Sequence, residues 1–256
     1  MNLIGLLKNF LKRRTTPAGW EWLNATLSSL STSVKQTNLL TAYTAASRQL
    51  GRRVLDPSKE EIAALREQAG LLVFDRWCAD DLGRAVFLLS LLGTARPAFE
   101  ELAVACYESG DSSEQASWLL ALSLLPNCDR FLAIAIDSCR TNIMPLFEAI
   151  ACENPYPSLH FPDLNFNQMI LKSLFNGISL SRIVGLESRF NEELSRMADD
   201  YVSEREAAGR EVPVDIWLVI APRVRGEGLA RVHRYLEHEN PQHRRWAALG
   251  LSHRKD

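Results

Sequence analysis

The sequence predicts an all-α protein, a helical-repeat chain of the HEAT-like α-solenoid kind that forms a single domain with one ordered Pro-rich loop. Three observations predict it. Apolar residues return at three- and four-residue steps along most of the chain, the period that gathers them on one side of a helix. No alternating run of useful strand length occurs; IWLVIA (Ile216–Ala221) is the one β-like string and is too isolated to build a sheet. Finally, FLLSLLGTARPAFEELA (Phe87–Ala103) recurs as LLALSLLPNCDRFLAIA (Leu119–Ala135), each copy reading as helix, Gly or Pro break, helix. A third echo, HRRWAALGLS against QASWLLALSL, aligns Trp246 with Trp118. Helix pairs repeating about every 33 residues are the α-solenoid signature. Chance likeness among Leu- and Ala-rich helices is the alternative, and it leaves the all-α class unchanged.

At 256 residues and 46% hydrophobic content the chain is long enough to bury a sizeable core. The net charge of -2 is unevenly spread. Residues 1–20 carry Lys8, Lys12, Arg13 and Arg14 with no acid, and residues 222–256 carry eight Lys or Arg against four acids. The two ends hold +8 together, so the middle is -10. An acidic middle is a poor ligand for phosphate backbones, and nucleic acid is not expected as a partner. The five cysteines (Cys78, Cys106, Cys128, Cys139, Cys152) sit in apolar helical runs and form no C-x-x-C pair, which suits buried reduced thiols in a cytosolic protein. No signal peptide, transmembrane run or myristoylation site is read at the N-terminus, where the basic residues follow the apolar ones and Asn2 follows Met1.

In chain order, residues 1–14 form a short basic amphipathic helix with Leu3, Ile4, Leu7, Phe10 and Leu11 on one face. Its two readings are a membrane-surface or partner-docking segment and a terminal helix folded back on its own domain. Residues 15–78 make an N-terminal helical subdomain. Thr16 and Pro17 cap and open a helix with Trp20, Leu23, Leu27 and Leu30 inward; another covers Thr37 to Leu50; Asp56 and Pro57 start the next. Residues 79–256 hold the repeats, with Asp111 and Glu114 as a capping box, and are read either as a separate domain or as continuous with 15–78. Gly226-Glu227-Gly228 opens a helix that could receive an anion, but without a preceding strand the signal is weak.

The stretch from Glu153 to Trp217 is where a site is expected. Asn154-Pro155-Tyr156-Pro157 and Phe161-Pro162 interrupt the helices, hold Tyr156 extended and place His160 beside Tyr156 and Phe161. In the helix starting near Asp163, Asn165, Gln168, Lys172 and Asn176 share a solvated face. Asn167 instead falls in line with Ile170, Leu171 and Leu174, so it needs a partner: the backbone of the preceding loop, or a ligand polar group. A helix from about Glu187 to Ala208 turns Leu194, Ala198, Tyr201 and Arg205 inward, with Arg196, Asp200 and Glu204 alongside as surface pairs or as part of a site. Asp199 with Asp200, or Asp200 with Glu204, could serve as acid and base, but no nucleophile accompanies them. His233, His238 and His243 are separated by Pro241 and read as surface residues rather than a metal site.

ENPYPSLHFPDLNFNQMILKSLF, followed by SRIVGLESRFNEELSRMADDYVSEREAAGREVPVDIW, resembles the signature region of the EboA family. The likeness covers about a quarter of the chain closely and extends more loosely through PQHRRWAALGLS. It implies a bacterial, cytoplasmic protein encoded beside a UbiA-like membrane prenyltransferase and proteins resembling hydrolases and sugar isomerases. That set makes or moves a small secondary metabolite, and the family carries no settled reaction. Matching positions here include Asn154, Tyr156, His160, Asn165, Asn167, Gln168, Lys172, Arg182, Arg189, Asn191, Arg196, Asp200, Tyr201, Glu204, Arg205 and Trp217, while Ser158 and Leu159 depart from the pattern.

Three functions follow as expectations. The first is a non-enzymatic scaffold that binds a small metabolite, or the pathway enzyme handling it, through Asn154, Tyr156, His160, Asn167, Lys172, Asp200, Tyr201, Glu204 and Arg205, with no metal and no cofactor. The second is an all-α enzyme acting on a polyol or prenylated intermediate, with His160 and Asp200 or Glu204 as base and acid. The third is an adaptor at the inner membrane face that uses residues 1–14 and the basic C-terminus.

Overall fold

A computed structural model describes residues 2–254, and its described residues are helical with no strand; Val54 and Cys78 make an isolated bridge. The chain divides into two compact units, Met1–Tyr156 and Pro157–Asp256.

The first unit is built around α5 (Ala79–Thr94), a helix buried on nearly every side. A helix apolar all round has to be enclosed, and α1 (Leu3–Lys12), α2 (Pro17–Thr32), α3 (Gln36–Leu50) and α7 (Ser112–Ala121) all pack on it. Leu7, Phe10 and Leu11 of α1 are buried in this contact, so the terminal helix folds back on its own unit. The two internal copies are α5 with α6 (Phe99–Glu108) and α7 with α8 (Leu132–Ser138), separated by 3-10 turns at the Gly and Pro breaks. Helix, break, helix is therefore present; but α5 is enclosed by α1, α2, α3 and α7, whereas a one-dimensional stack offers each pair only its neighbours. The third echo ends at composition. Trp118 is fully buried with its indole N–H donated to the Ala103 carbonyl at 2.8 Å, while Trp246 is half-exposed in the second unit.

Thr16 caps α2 with Pro17 in its first turn, and the Asp111–Glu114 capping box opens α7, as the local spacing predicts. The helix expected at Asp56 starts later. Asp56 has φ 44°, and Ser58 with Glu61 forms the capping box of α4 (Lys59–Ala69). Inside the unit Arg84 and Asp80, both 1% exposed, pair at 2.9 Å, and Arg84 also donates to the Tyr43 carbonyl and the Ser117 hydroxyl. α9 (Met144–Ala151) packs on α7 and leads to Glu153, at φ 53°.

The second unit contains α11 (Asp163–Phe175), α12 (Glu192–Ala207), α13 (Trp217–Ile220), α14 (Gly226–Tyr235) and α15 (Pro241–Ser252). IWLVIA becomes the short, buried α13, clamped where Gly250 of α15 meets it; a Cβ there would stand 2.3 Å from the Trp217 carbonyl oxygen. The helix expected from Glu187 begins at Glu192, because Asn191 caps it and Leu186–Arg189 is a separate 3-10 turn. No described helix is long and apolar enough to cross a membrane.

Candidate functional site

The Pro-rich stretch is more ordered than a loop. Tyr156, expected to be extended, is the first residue of a short helix, α10 (Tyr156–His160). The turn into it is made by Asn154, whose Oδ1 accepts the Tyr156 N–H at 3.0 Å and the Ser123 hydroxyl at 3.3 Å. Its Nδ2 donates to the Leu119 and Ala149 carbonyls at 2.9 and 3.0 Å. Both donors and both lone pairs of this buried amide are spent within the first unit. Tyr156 is equally committed: its ring is buried and its hydroxyl donates to the Cys128 carbonyl at 2.7 Å. Burial, with Cys128 and Asp129 adding to it, pushes the phenol above its ordinary value. The structure thus places Asn154 and Tyr156 where they order the chain.

In the second unit the loop is gripped by Arg189. Its guanidinium donates to the carbonyls of Ser158 at 2.8 Å and Phe161 at 2.7 Å, pairs with Asp163 at 2.8 Å, and lies over the Phe166 ring at 4.7 Å. Sequence spacing singles out no such clamp, because its acceptors are main-chain atoms of a distant segment. Gly185, at φ 75°, lets the chain pass Ser158; a Cβ would stand 2.5 Å from that hydroxyl.

Asn167 is 1% exposed, as its place on the apolar face requires, but neither expected partner is the one found. It exchanges two 3.1 Å hydrogen bonds with the side chain of Asn191, whose Oδ1 also accepts the Leu194 N–H at 2.7 Å as the cap of α12. The amide pair fastens α11 to the start of α12. Asn191 is visible in the sequence as a potential cap; its pairing with Asn167 is not.

The remaining nominated residues separate. His160 ends α10 and Lys172 lies on α11, both half-buried. Asp200 is exposed and paired with Arg196 at 2.6 Å, and Glu204 is exposed one turn further on. Tyr201 and Arg205 remain together at half-burial, the guanidinium 5.7 Å from the ring centroid and 3.5 Å from the hydroxyl. Of the three histidines, His233 is exposed, whereas His238 and His243 join an aromatic cluster with Trp217 and Tyr235. The Trp217 indole donates to His243 Nδ1 at 2.8 Å, which occupies that nitrogen's lone pair. Burial, then His238, holds this imidazole below its usual range. At the start of α14, the carboxylate lying against Gly228 is the chain's own Asp199, which also pairs with Arg231.

Arg205 lies on a cleft of about 410 Å³ in the second unit, walled by Phe175, Ile178, Val212, Pro213, Val214 and Trp246, with Ser179, Glu211 and Asp215 adding polar groups. Its Nε donates to the Glu211 carbonyl at 2.7 Å, which pins the guanidinium at the wall. Asp215 is turned to a local task, accepting the Leu180 N–H at 2.7 Å and the Ser179 hydroxyl at 3.0 Å. A somewhat larger cavity, about 460 Å³, lies in the first unit beside Leu40, Tyr43 and Glu114, and none of the nominated residues lines it. Its Glu114 is held in the α7 capping box and its Tyr43 hydroxyl donates to the Glu114 carbonyl, so its central polar groups already have partners. The cleft at Arg205 is the stronger candidate.

No curated protein and no solved structure matches the chain. The family described as metabolite traffic protein EboA matches residues 3–221, which is most of the chain: nearly all of the first unit and the second unit up to α13. Together with the signature residues that order the turn at Asn154, the clamp at Arg189 and the α11–α12 junction, this match shows that the chain belongs to the EboA family of metabolite traffic proteins.

Proposed function

We propose that this protein is a non-enzymatic helical scaffold that holds a small metabolite in the second-unit cleft during its traffic, with Arg205 as the polar anchor and Tyr201 steadying it. One observation supports this above the others. The α12 helix carries two arginines; Arg196 is engaged by Glu193 and Asp200, whereas Arg205 makes no ion pair among the described residues and faces apolar walls. A guanidinium at an apolar wall keeps donors for a ligand group in a setting where such bonds gain strength. Phe175, 73% exposed at the cleft, adds apolar surface that the unit's own core leaves uncovered.

The test separates support of the fold from binding. Asn167→Ala and Arg205→Gln are made separately, and both the melting temperature of the purified protein and metabolite output per folded molecule are measured in cells that carry the pathway. Asn167→Ala should lower the melting temperature; Arg205→Gln should lower output with little thermal change. Unchanged output with Arg205→Gln would refute the assignment.

A further inference from the structure

The lining chemistry of the cleft narrows what it can hold. Resting on the reading of this cleft as the metabolite site, we infer that its ligand class is a monoanion with an apolar, preferably aromatic, body: one carboxylate-like group for Arg205 and a flat hydrophobic part for Phe175, Pro213 and Trp246.

Three observations point there. The walls are apolar and include two aromatic rings, one of them the exposed Phe175. Rings of this kind bury a flat apolar body with little loss of side-chain freedom. Next, the cleft lining has one cation, Arg205, fixed by the Glu211 carbonyl and the Tyr201 hydroxyl and without an ion pair to any described residue. A guanidinium favours a carboxylate through paired N–H donors. Lastly, two acids line the same cleft, Glu211 and Asp215. Asp215 serves the 179–180 turn and cannot swing away without stranding a buried N–H. Arg205 matches one ligand carboxylate, whereas Glu211 and Asp215 on the same lining repel a second negative charge, so a phosphate dianion or dicarboxylate is disfavoured.

Calorimetric titration of the full chain tests this with a matched series of probes: 4-phenylbutyrate, its neutral amide, the corresponding amine, and benzylphosphonate as its dianion. The carboxylate is expected to bind more tightly than the amide, the amine and the dianion. Arg205→Gln should weaken the carboxylate about tenfold, the loss of one charge-assisted contact, and the amide by less, so that the preference for carboxylate is lost while the amide still binds. Phe175→Ala, at a position too exposed to affect folding, should weaken all probes that bind. Equal affinity for carboxylate and amide, or a carboxylate preference that survives Arg205→Gln, overturns the monoanion class while Phe175 sensitivity keeps the cleft as a site. No binding by any probe overturns both.

Discussion

The amide pair between Asn167 and Asn191 offers a direct test of how α11 and α12 are joined. An Asn167→Asp change keeps the shape and removes the donor. In the native pair, residue 167 accepts from Asn191 Nδ2 and donates to Asn191 Oδ1, which already accepts the Leu194 N–H. A carboxylate would face that oxygen with a lone pair in a site 1% exposed; only the protonated acid restores the bond. Burial and the mismatched acceptor therefore raise its folded-state pKa above the reference of about 3.9. The sign follows: the folded form retains a proton that the unfolded form releases, so stability is kept below about pH 4 and lost as pH rises towards the folded pKa. The loss is about 1.4 kcal/mol per pH unit in that window and should reach about 2–3 kcal/mol near pH 6. Urea unfolding followed by helical circular dichroism from pH 4 to 7 measures it. Asn167→Ala is the control, expected to lose about 2 kcal/mol from two neutral hydrogen bonds with no pH dependence across that range. A variant whose loss changes by less than about 0.5 kcal/mol over the range would refute the reciprocal pair.

Other perturbations have equally defined outcomes. Arg189→Lys should cost about 3 kcal/mol and behave much like Arg189→Ala, since an ammonium cannot reach the Ser158, Phe161 and Asp163 oxygens together; equilibrium unfolding of the two variants decides, and a lysine variant of native stability would refute the clamp. Arg84→Met should cost about 3–5 kcal/mol because it leaves the buried Asp80 carboxylate with only the exposed Arg52 at 3.8 Å as an ion-pair partner, and adding Asp80→Leu should recover most of that loss in the same assay. His243, held below the ordinary imidazole value by burial, contributes stability that is complete above about pH 6.5 and declines as pH falls through its folded value. Trp217 fluorescence during unfolding should follow that decline, and His243→Phe should flatten it.

Much of the helical plan was legible because it is local. Thr16 with Pro17, Asp111 with Glu114, and the start of α11 at Asp163 depend on contacts within about one turn, where residue type and spacing suffice. The misread starts have the same scale: Ser58 with Glu61 outcompeted Asp56 with Pro57, and Asn191 set the start of α12 later than its apolar period suggested. Among the nominated site residues, Asn167 is buried as its helical phase requires, whereas Lys172, Tyr201 and Arg205 are all half-buried and the partners of Asn154 and Asn167 were not foreseen. Asn154 satisfies carbonyls 35 and 5 residues away, and Asn167 pairs 24 residues along the chain.

The sequence by itself determined the all-α class, the helix caps at Thr16 and Asp111, the buried position of Asn167 and membership of the EboA family, because each depends on short-range periodicity or on a run of residues read in order. Only the tertiary structure decided that Asn154 and Tyr156 are spent on the turn, that Arg189 clamps the segment from Ser158 to Asp163, and that Arg205 lies on an apolar-walled cleft without an ion pair to any described residue. The physical reason is the same in each case. A polar group's role depends on which distant donors and acceptors have already claimed it, and packing settles that.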